Sequence, residues 1–204
     1  MTKISTANVA EAIATFEANI DDRLSYEKSN SDNILSITKN FNTKVRKRAN
    51  AATLTFFLKQ KIDLNFMNKH NIQTKRMNVY ACEKVCKLVD HINIDEYSRA
   101  IFKAARKLQE NDSYLTREDA KHVCCTNHDT VKGERAALLA DCRIQKLKSA
   151  STVSTQHSSS LHAMQTAHML TVSRDDANNE IFVLDADNAH VKKLIAAIDK
   201  QDAA

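Results

Sequence analysis

The chain has 204 residues, 43% of them apolar, and a formal net charge of +5 at pH 7. Its single glycine, Gly133, excludes the glycine-rich loops that P-loop enzymes, dinucleotide-binding folds and kinases need where backbone approaches phosphate. No apolar run approaches the roughly 20 residues that cross a bilayer, and the N-terminus begins a polar amphipathic segment rather than a signal peptide. We therefore expect a soluble, cytoplasmic protein of a bacterium or an infected host cell, with no membrane contact.

The absence of proline leaves nearly every position compatible with helix, so the composition predicts a mainly α fold. Three amphipathic helices are predicted in the first 62 residues. The first has apolar side chains at steps of four, three and four, with Ser5 or Thr6 as its N-cap. The apolar positions of the first two helices are Val9, Ile13, Phe16 and Ile20, then Ile34, Ile37, Phe41 and Val45. The third runs from about Ala49 to Ile62.

Positive charge is concentrated in residues 39–76, the basic segment, which carries ten basic side chains and one acidic side chain. Because so few acidic partners lie within it, the basic segment favours contact with phosphate over a solvated helix face. We predict that residues 1–76 form a helical, basic region for contact with the DNA backbone, for dimerisation, or for both. The predicted phosphate contacts are Lys44, Arg46, Lys47, Arg48, Lys75 and Arg76.

Residues 77–204 are predicted to form a second domain, which begins with core helices after Asn78 and around Tyr97–Leu108. Thr116 followed by Asp119 is a capping-box start for a helix over Arg117–Cys125, which we interpret as scaffold. The five cysteines are predicted to be reduced, buried thiols. Neither Cys82 and Cys86 with His91, nor the group of His122, Cys124, Cys125 and His128, has zinc-finger spacing, so no metal and no cofactor are expected.

The most informative stretch is Ser149–Leu184. A helical run over Glu134–Lys148 is followed by a hydroxyl-rich turn and a second helix, whose apolar side is Val153, Leu161, Met164 and Ala167. The other side holds short polar residues that fit a major groove. The predicted base-reading residues are Thr155, Gln156, Ser158, Ser159 and His162. Because eight of the twelve residues from Ser149 to Ser160 are Ser or Thr, a flexible linker is the alternative.

A β-hairpin is predicted directly after this helix. Leu170–Arg174 and Glu180–Leu184 favour strand, and the Asp and Asn residues between them are turn formers. Arg174, at the end of the first strand, is placed to meet a phosphate or the minor groove. Helix followed by hairpin is the order of a winged helix-turn-helix, and this predicts such a domain in residues 77–204.

The stretches Asn78–Ala81, Ser151–Leu161 and Asp176–Phe182 resemble the DNA-binding module of phage-associated homing endonucleases and their stand-alone relatives. The resemblance covers roughly the last 125 residues and implies site-specific DNA binding. A GIY-YIG nuclease domain, which such endonucleases often carry, needs glycines that this chain lacks. The resemblance therefore implies a DNA binder without its nuclease.

These observations predict a non-enzymatic, sequence-specific binder of double-stranded DNA, encoded by a phage or mobile element. We expect it to act as a homodimeric transcriptional repressor that occupies its operator, and to have no small-molecule substrate. No catalytic motif is present. A helical structural or assembly protein and an RNA-binding protein are the alternatives, and a metal-dependent nuclease with scattered ligands is a weaker one.

Overall fold

The computed structural model describes residues 4–69, 76–90, 94–125, 130–145 and 150–203. The chain divides into two compact units, Met1–Val89 and Asp90–Ala204. In the described residues the fold is mainly helical, as predicted, with one small antiparallel sheet.

The first unit is built from four α-helices and short turns of other helix types among its described residues. They are α1 (Thr6–Asn30), α2 (Ile34–Asn40), a π-helical turn (Phe41–Val45), a 3₁₀ turn (Arg46–Arg48), α3 (Ala51–Gln60), a second 3₁₀ turn (Phe66–Asn68) and α4 (Val79–Lys87). Side chains of Ser5, Asn50 and Asn78 cap α1, α3 and α4 by accepting from backbone N–H groups one turn later. The predicted N-cap Ser5 is therefore confirmed.

Aromatic side chains form the core of the first unit. The ring of Phe16 on α1 lies 5.5 Å from that of Phe57 and 6.0 Å from that of Phe66, measured between centroids. Arg23 is also buried and stacks on Phe41, with 5.3 Å from its guanidinium carbon to the ring centroid. Its guanidinium donates to Glu27 at 2.7 Å and to the carbonyl of Met67, so this buried charge is satisfied.

The boundary between the units lies at residues 89 and 90 rather than at the predicted 76 and 77. Helix α4, which the sequence assigned to the second domain, packs on the π-helical turn of the first unit. Its inner face, which includes Cys82 and Cys86, is completely buried. Periodicity alone did not reveal which domain this apolar face joins.

The second unit contains five α-helices and three strands among its described residues. They are α5 (Glu96–Gln109), β1 (Leu115–Thr116), α6 (Arg117–Cys124), α7 (Gly133–Leu139), a 3₁₀ turn (Ala140–Cys142), α8 (Ala150–Thr166), β2 (Leu170–Arg174), β3 (Glu180–Leu184) and α9 (Ala189–Asp202). The predicted capping box of α6 is confirmed, because Thr116 and Asp119 each bond the other's backbone N–H. The flexible-linker alternative for residues 149–160 is wrong, because α8 is helical from Ala150.

The predicted hairpin is confirmed with the same strand bounds, as β2 and β3 pair with Val172 opposite Phe182. The sequence did not predict β1, which pairs with the other edge of β3 and places Leu115 opposite the same Phe182. The order of this antiparallel sheet is therefore β1–β3–β2.

Helices α5, α6 and α8 pack against one another and form the core of the second unit with the sheet. The Ser98 hydroxyl of α5 donates to Asp95 at 2.7 Å, and its oxygen can accept from the Ser160 hydroxyl of α8, 3.1 Å away. Both serines are fully buried. Small side chains at this contact let the two helices approach closely, and the paired hydroxyls remain satisfied.

The helix predicted over Glu134–Lys148 is shorter than expected. Helix α7 ends at Leu139, and after the 3₁₀ turn the backbone is extended at Arg143. The Ile144 N–H then donates to the Val123 carbonyl of α6 at 2.9 Å, so this backbone joins α6 instead of continuing a helix. The predicted continuous helix over Glu134–Lys148 is therefore wrong, since the backbone has left the helical conformation by Arg143.

Candidate nucleic-acid interface

Helix α8 changes character along its length. In its first half, residues such as Ser154 and Thr155 are exposed. In its second half, Leu161, Ala163 and Met164 are buried against the rest of the second unit. The helix is therefore anchored by its C-terminal half and presents hydroxyl groups from its N-terminal half.

The five predicted base-reading residues differ in accessibility. Thr155 is exposed, whereas Gln156, Ser158 and His162 are half-buried with part of each side chain at the surface. Ser159 has no exposed area. The prediction that Ser159 belongs to the exposed face is wrong, because the helix buries more than one side and a serine is small enough to join a packed face.

Two histidines on α8 are uncharged at neutral pH. Burial lowers the pKa of His157, and the positive charges of Lys121 and Arg117 oppose its protonation further. Its Nδ1 lies 2.9 Å from the Val153 carbonyl. Burial and the charge of Arg117 also lower the pKa of His162. A neutral, half-exposed His162 offers both a donor and an acceptor to a ligand.

Sequence reasoning missed two cations beside α8. Arg117 and Lys121 lie on α6, close enough to influence the α8 histidines. Arg117 is paired with Glu180 of β3, and its guanidinium carbon lies 5.4 Å from the centroid of the Phe182 ring. Lys121 is paired with Glu118. The sequence offered one signal for Arg117, which is its position immediately after the N-cap of α6. Helix N-termini favour anions, so a cation placed there adds to the attraction for an anionic ligand.

The hairpin tip differs from the predicted phosphate-binding wing. The Arg174 guanidinium is exposed and donates to the Asn178 carbonyl within the same turn at 2.8 Å. Hydrogen bonds from Asn179 lower the pKa of the exposed Asp175, so the tip carries negative charge at neutral pH. Arg174 is therefore the one cation of a tip that also holds Asp175 and Asp176.

Part of the basic segment has acidic partners that the sequence did not indicate. Lys44 lies 3.5 Å from Glu83 of α4, and its ammonium stands 4.4 Å from the centroid of the Tyr80 ring. Arg46 is paired with Asp21 of α1. The argument from missing acidic partners is thus wrong for these two residues, because distant parts of the chain supply the carboxylates.

Other cations of the basic segment remain open to a ligand. Lys47 is exposed and Arg48 half-buried, and neither has an ion-pair partner among the described residues. The Arg76 guanidinium stacks on Tyr26, 3.5 Å from the ring centroid, and donates to Asn68 at 3.3 Å. Lys75 lies outside the described residues.

Charge differs between the two units. The first unit has 15 basic and 8 acidic side chains, whereas the second has 15 and 17. The first unit therefore carries the excess of positive charge, which acts at long range on any polyanion, whereas α8 presents hydroxyl groups capable only of short-range hydrogen bonds.

The five cysteines, all within the described ranges, are buried, as predicted, and none of them forms a disulfide. Burial raises the pKa of Cys82 to about 12, so this thiol is protonated and unreactive at neutral pH. The described part of the chain has no group of three or more His, Cys, Asp or Glu residues placed to hold a metal. His91 and His128 lie outside it.

Among the helices of the described ranges, none combines the length and the apolar character required to cross a membrane. Comparison with family models, curated proteins and solved structures finds no match to this chain.

Proposed function

We propose that the protein binds double-stranded DNA at a specific site and reads it with a winged helix-turn-helix in the second unit. The observation that carries this proposal is topological. If α7 and the 3₁₀ turn between α6 and α8 are set aside, the element order α5–β1–α6–α8–β2–β3 and the sheet order β1–β3–β2 are those expected of a winged helix, with three helices packed around a small sheet. In such domains the third helix reads the major groove and the hairpin tip is the wing.

The chain departs from the usual motif in one respect. The segment between α6 and α8 spans residues 125–149 and contains α7, whereas a helix-turn-helix normally has a turn of three or four residues. The three-helix core is nevertheless retained, because α5, α6 and α8 contact one another directly.

The accessible face of α8, which continues from its N-terminal half to His162, is the proposed reading surface. Thr155, Gln156, Ser158 and His162 would contact base edges, for which hydroxyl, amide and imidazole groups have suitable geometries. Arg117 and Lys121 would exchange their carboxylate partners for phosphates on either side of the groove. The acidic hairpin tip makes the wing a weak contributor, because it would repel the backbone.

The first unit would supply affinity that depends on salt and not on sequence. Lys47 and Arg48 are the proposed phosphate contacts, with Lys44, Arg46, Lys75 and Arg76 in the same basic segment. Occupation of an operator by a homodimer would exclude polymerase sterically, which is the action of a repressor.

The salt dependence of binding tests the proposal. We expect the full chain to bind a labelled duplex in fluorescence anisotropy with an affinity that falls as salt rises. Lys47→Gln should reduce the slope of log Kobs against log salt by about one, because one phosphate contact is lost. Lys193→Gln, an exposed cation on α9, is the matched control and should leave the slope unchanged.

Two results would contradict the proposal. One is equal slopes for the Lys47 and Lys193 variants, which would remove the basic segment from the interface. The other is tighter binding to single-stranded DNA or RNA than to duplex, which would favour the RNA-binding alternative.

A helical assembly protein is the second candidate function, and α2 favours it. This helix buries none of its residues, and 85% of Leu35 is exposed. An exposed leucine on such a helix is suited to association with another helix. Light scattering that showed large oligomers, dispersed by Leu35→Glu, together with no salt-sensitive DNA binding, would support assembly over DNA recognition.

A further inference from the structure

The sheet of the second unit has an open edge along β2. This strand is an outer one in the order β1–β3–β2, and its residues 171–174 are exposed. Val172 is 47% exposed, although Phe182, its neighbour across the ladder, is buried. Leu170, at the start of the strand, is only 2% exposed. The open edge is therefore formed by residues 171–174.

The hydrogen bonds of the hairpin show which backbone groups point out of this edge. The Met169 carbonyl accepts from the Asp185 N–H at 2.9 Å, and the Asp175 N–H donates to the Asn179 carbonyl at 3.0 Å. In an antiparallel ladder, residues bonded in this way alternate with residues whose N–H and C=O groups point away from the partner strand. The residues of β2 that point away from β3 are Leu170, Val172 and Arg174.

The open edge lacks the features that usually prevent a strand from pairing. Among the described residues, no group donates to or accepts from the backbone of Val172 or Arg174. Strand β2 pairs with β3 residue by residue without a bulge, and it contains no proline. Its only charged side chain, Arg174, is at its end. Proteins commonly protect an exposed edge with charges, prolines or bulges, so an edge without them is suited to accept another strand.

A second copy of the same strand fits this edge. If two β2 strands run antiparallel about a twofold axis at Ser173, Val172 of each copy stands opposite Arg174 of the other. Each copy offers two N–H and two C=O groups there, and their pairing gives four hydrogen bonds that use all of them. The two small Ser173 side chains meet at the axis, and the aliphatic part of Arg174 covers the exposed Val172.

Charge also favours a second copy. In this register the two Asp175 residues are four positions apart along the strands, about 13 Å, which exceeds the screening length of about 8 Å. Each acidic tip extends instead beside residues 168–170 of the other copy. There Asn188, the N-cap of α9, donates to the His168 carbonyl at 3.0 Å, so the N-terminus of α9 lies at this end of β2. Helix N-termini attract carboxylates.

We propose that β2 is the interface of a homodimer, in which two copies pair this strand antiparallel about Ser173. The result is one continuous sheet of order β1–β3–β2–β2–β3–β1. The inference deepens the proposed function and rests on it only for the role of the dimer, because the pairing itself requires no DNA. Two strands of five residues bury little surface, so we expect a weak, reversible dimer.

Sedimentation equilibrium of the full chain without DNA, from micromolar to millimolar concentration, tests the interface. Val172→Pro should raise the dissociation constant of the dimer about tenfold or more, because two of the hydrogen bonds across the axis lose their donor. The ladder to β3 uses Thr171 and Ser173, so a proline between them leaves it intact. Val172→Thr keeps both the N–H and the branched shape. It is the matched control and should dimerise like the wild type.

Two charge variants test the register, and they replace the proline variant should circular dichroism show that it disturbs the fold. Val172→Lys places a cation opposite Arg174 of the other copy and should weaken the dimer, whereas Val172→Glu places a carboxylate there and should not. Equal weakening by the two variants would overturn the register. A wild type that stays monomeric at millimolar concentration would overturn the interface. Loss of the dimer in Leu35→Glu but not in Val172→Pro would assign the contact to α2 and also overturn it.

Failure of this inference and failure of the proposed function are distinguishable. A dimer that Val172→Pro dissociates, together with no binding of duplex in anisotropy, would support the interface and contradict the proposed function. Duplex binding by a chain that sediments as a monomer would do the reverse. If both hold, Val172→Pro should bind a palindromic duplex more weakly than the wild type does, because one half-site is no longer occupied together with the other.

Discussion

The buried carboxylate of Asp119 holds together α6 and α7, the helices that precede α8. It is 1% exposed and accepts from the backbone N–H and the hydroxyl of Thr116 at 2.8 and 2.7 Å. It also accepts from Arg135 of α7, at 2.8 Å from Nε and 2.6 Å from the second nitrogen. One side chain thus caps α6 and joins it to α7.

We predict that Asp119→Ala lowers the free energy of unfolding of the second unit by about 3 kcal/mol. Loss of the cap accounts for about 1 kcal/mol. The rest comes from removing the buried carboxylate that binds the Arg135 guanidinium through two hydrogen bonds. Removing one partner of a buried ion pair usually costs about 3–5 kcal/mol, and the cost is smaller here because a third of the Arg135 side chain is exposed and can be rehydrated. For a unit of this size the melting temperature should fall by roughly 10 to 15 °C.

Native-state hydrogen exchange measures this effect for each unit separately. Amides of α6 and α8 should lose protection in Asp119→Ala, while those of α1 and α3 should keep it. Asp176→Ala, which removes an exposed carboxylate at the hairpin tip, is the control and should change stability by less than about 0.5 kcal/mol. Equal protection in the two variants would refute the role of Asp119.

Two further predictions concern the cores of the units. Phe16→Ala should destabilise the first unit by about 3–5 kcal/mol in urea unfolding, because the ring is fully buried between Phe57 and Phe66; a loss below 1 kcal/mol would contradict this packing. Burial holds the pKa of His157 below 6.5, so the unfolded chain binds a proton near pH 6.5 that the folded chain does not. Stability should therefore fall from pH 7.5 to 5.5, and His157→Gln should reduce that fall by up to about 1.4 kcal/mol per pH unit; identical pH profiles would contradict it.

Local signals in the sequence were sufficient for several elements. The hairpin was predicted with its observed bounds because Asp175, Asp176, Asn178 and Asn179 form a turn between two strand-favouring runs. The capping box at Thr116 was predicted because its two members are three residues apart and act within one turn. In both cases the residues that decide the structure are neighbours in the chain.

Other features depended on contacts between distant residues. Asp21 and Glu83, which pair with Arg46 and Lys44, lie 25 and 39 residues away from them in sequence. Ser159 is buried because several elements pack closely against α8. A polar residue in the sequence gives no indication of such burial. Strand β1 has only two residues, too few for any periodicity, and it exists because β3 offers a free edge.

The central claim is that the exposed N-terminal half of α8 reads double-stranded DNA. The most direct test is selection from a randomised duplex library at near-physiological salt with magnesium present, sequencing bound and cut DNA for the wild type and for Thr155→Ala. We predict a palindromic enriched site in uncut DNA for the wild type, and loss of preference at one or two base pairs of each half-site for Thr155→Ala. No enriched sequence for the wild type, or an unchanged site in the variant, would contradict the claim, and cut products would indicate a nuclease instead.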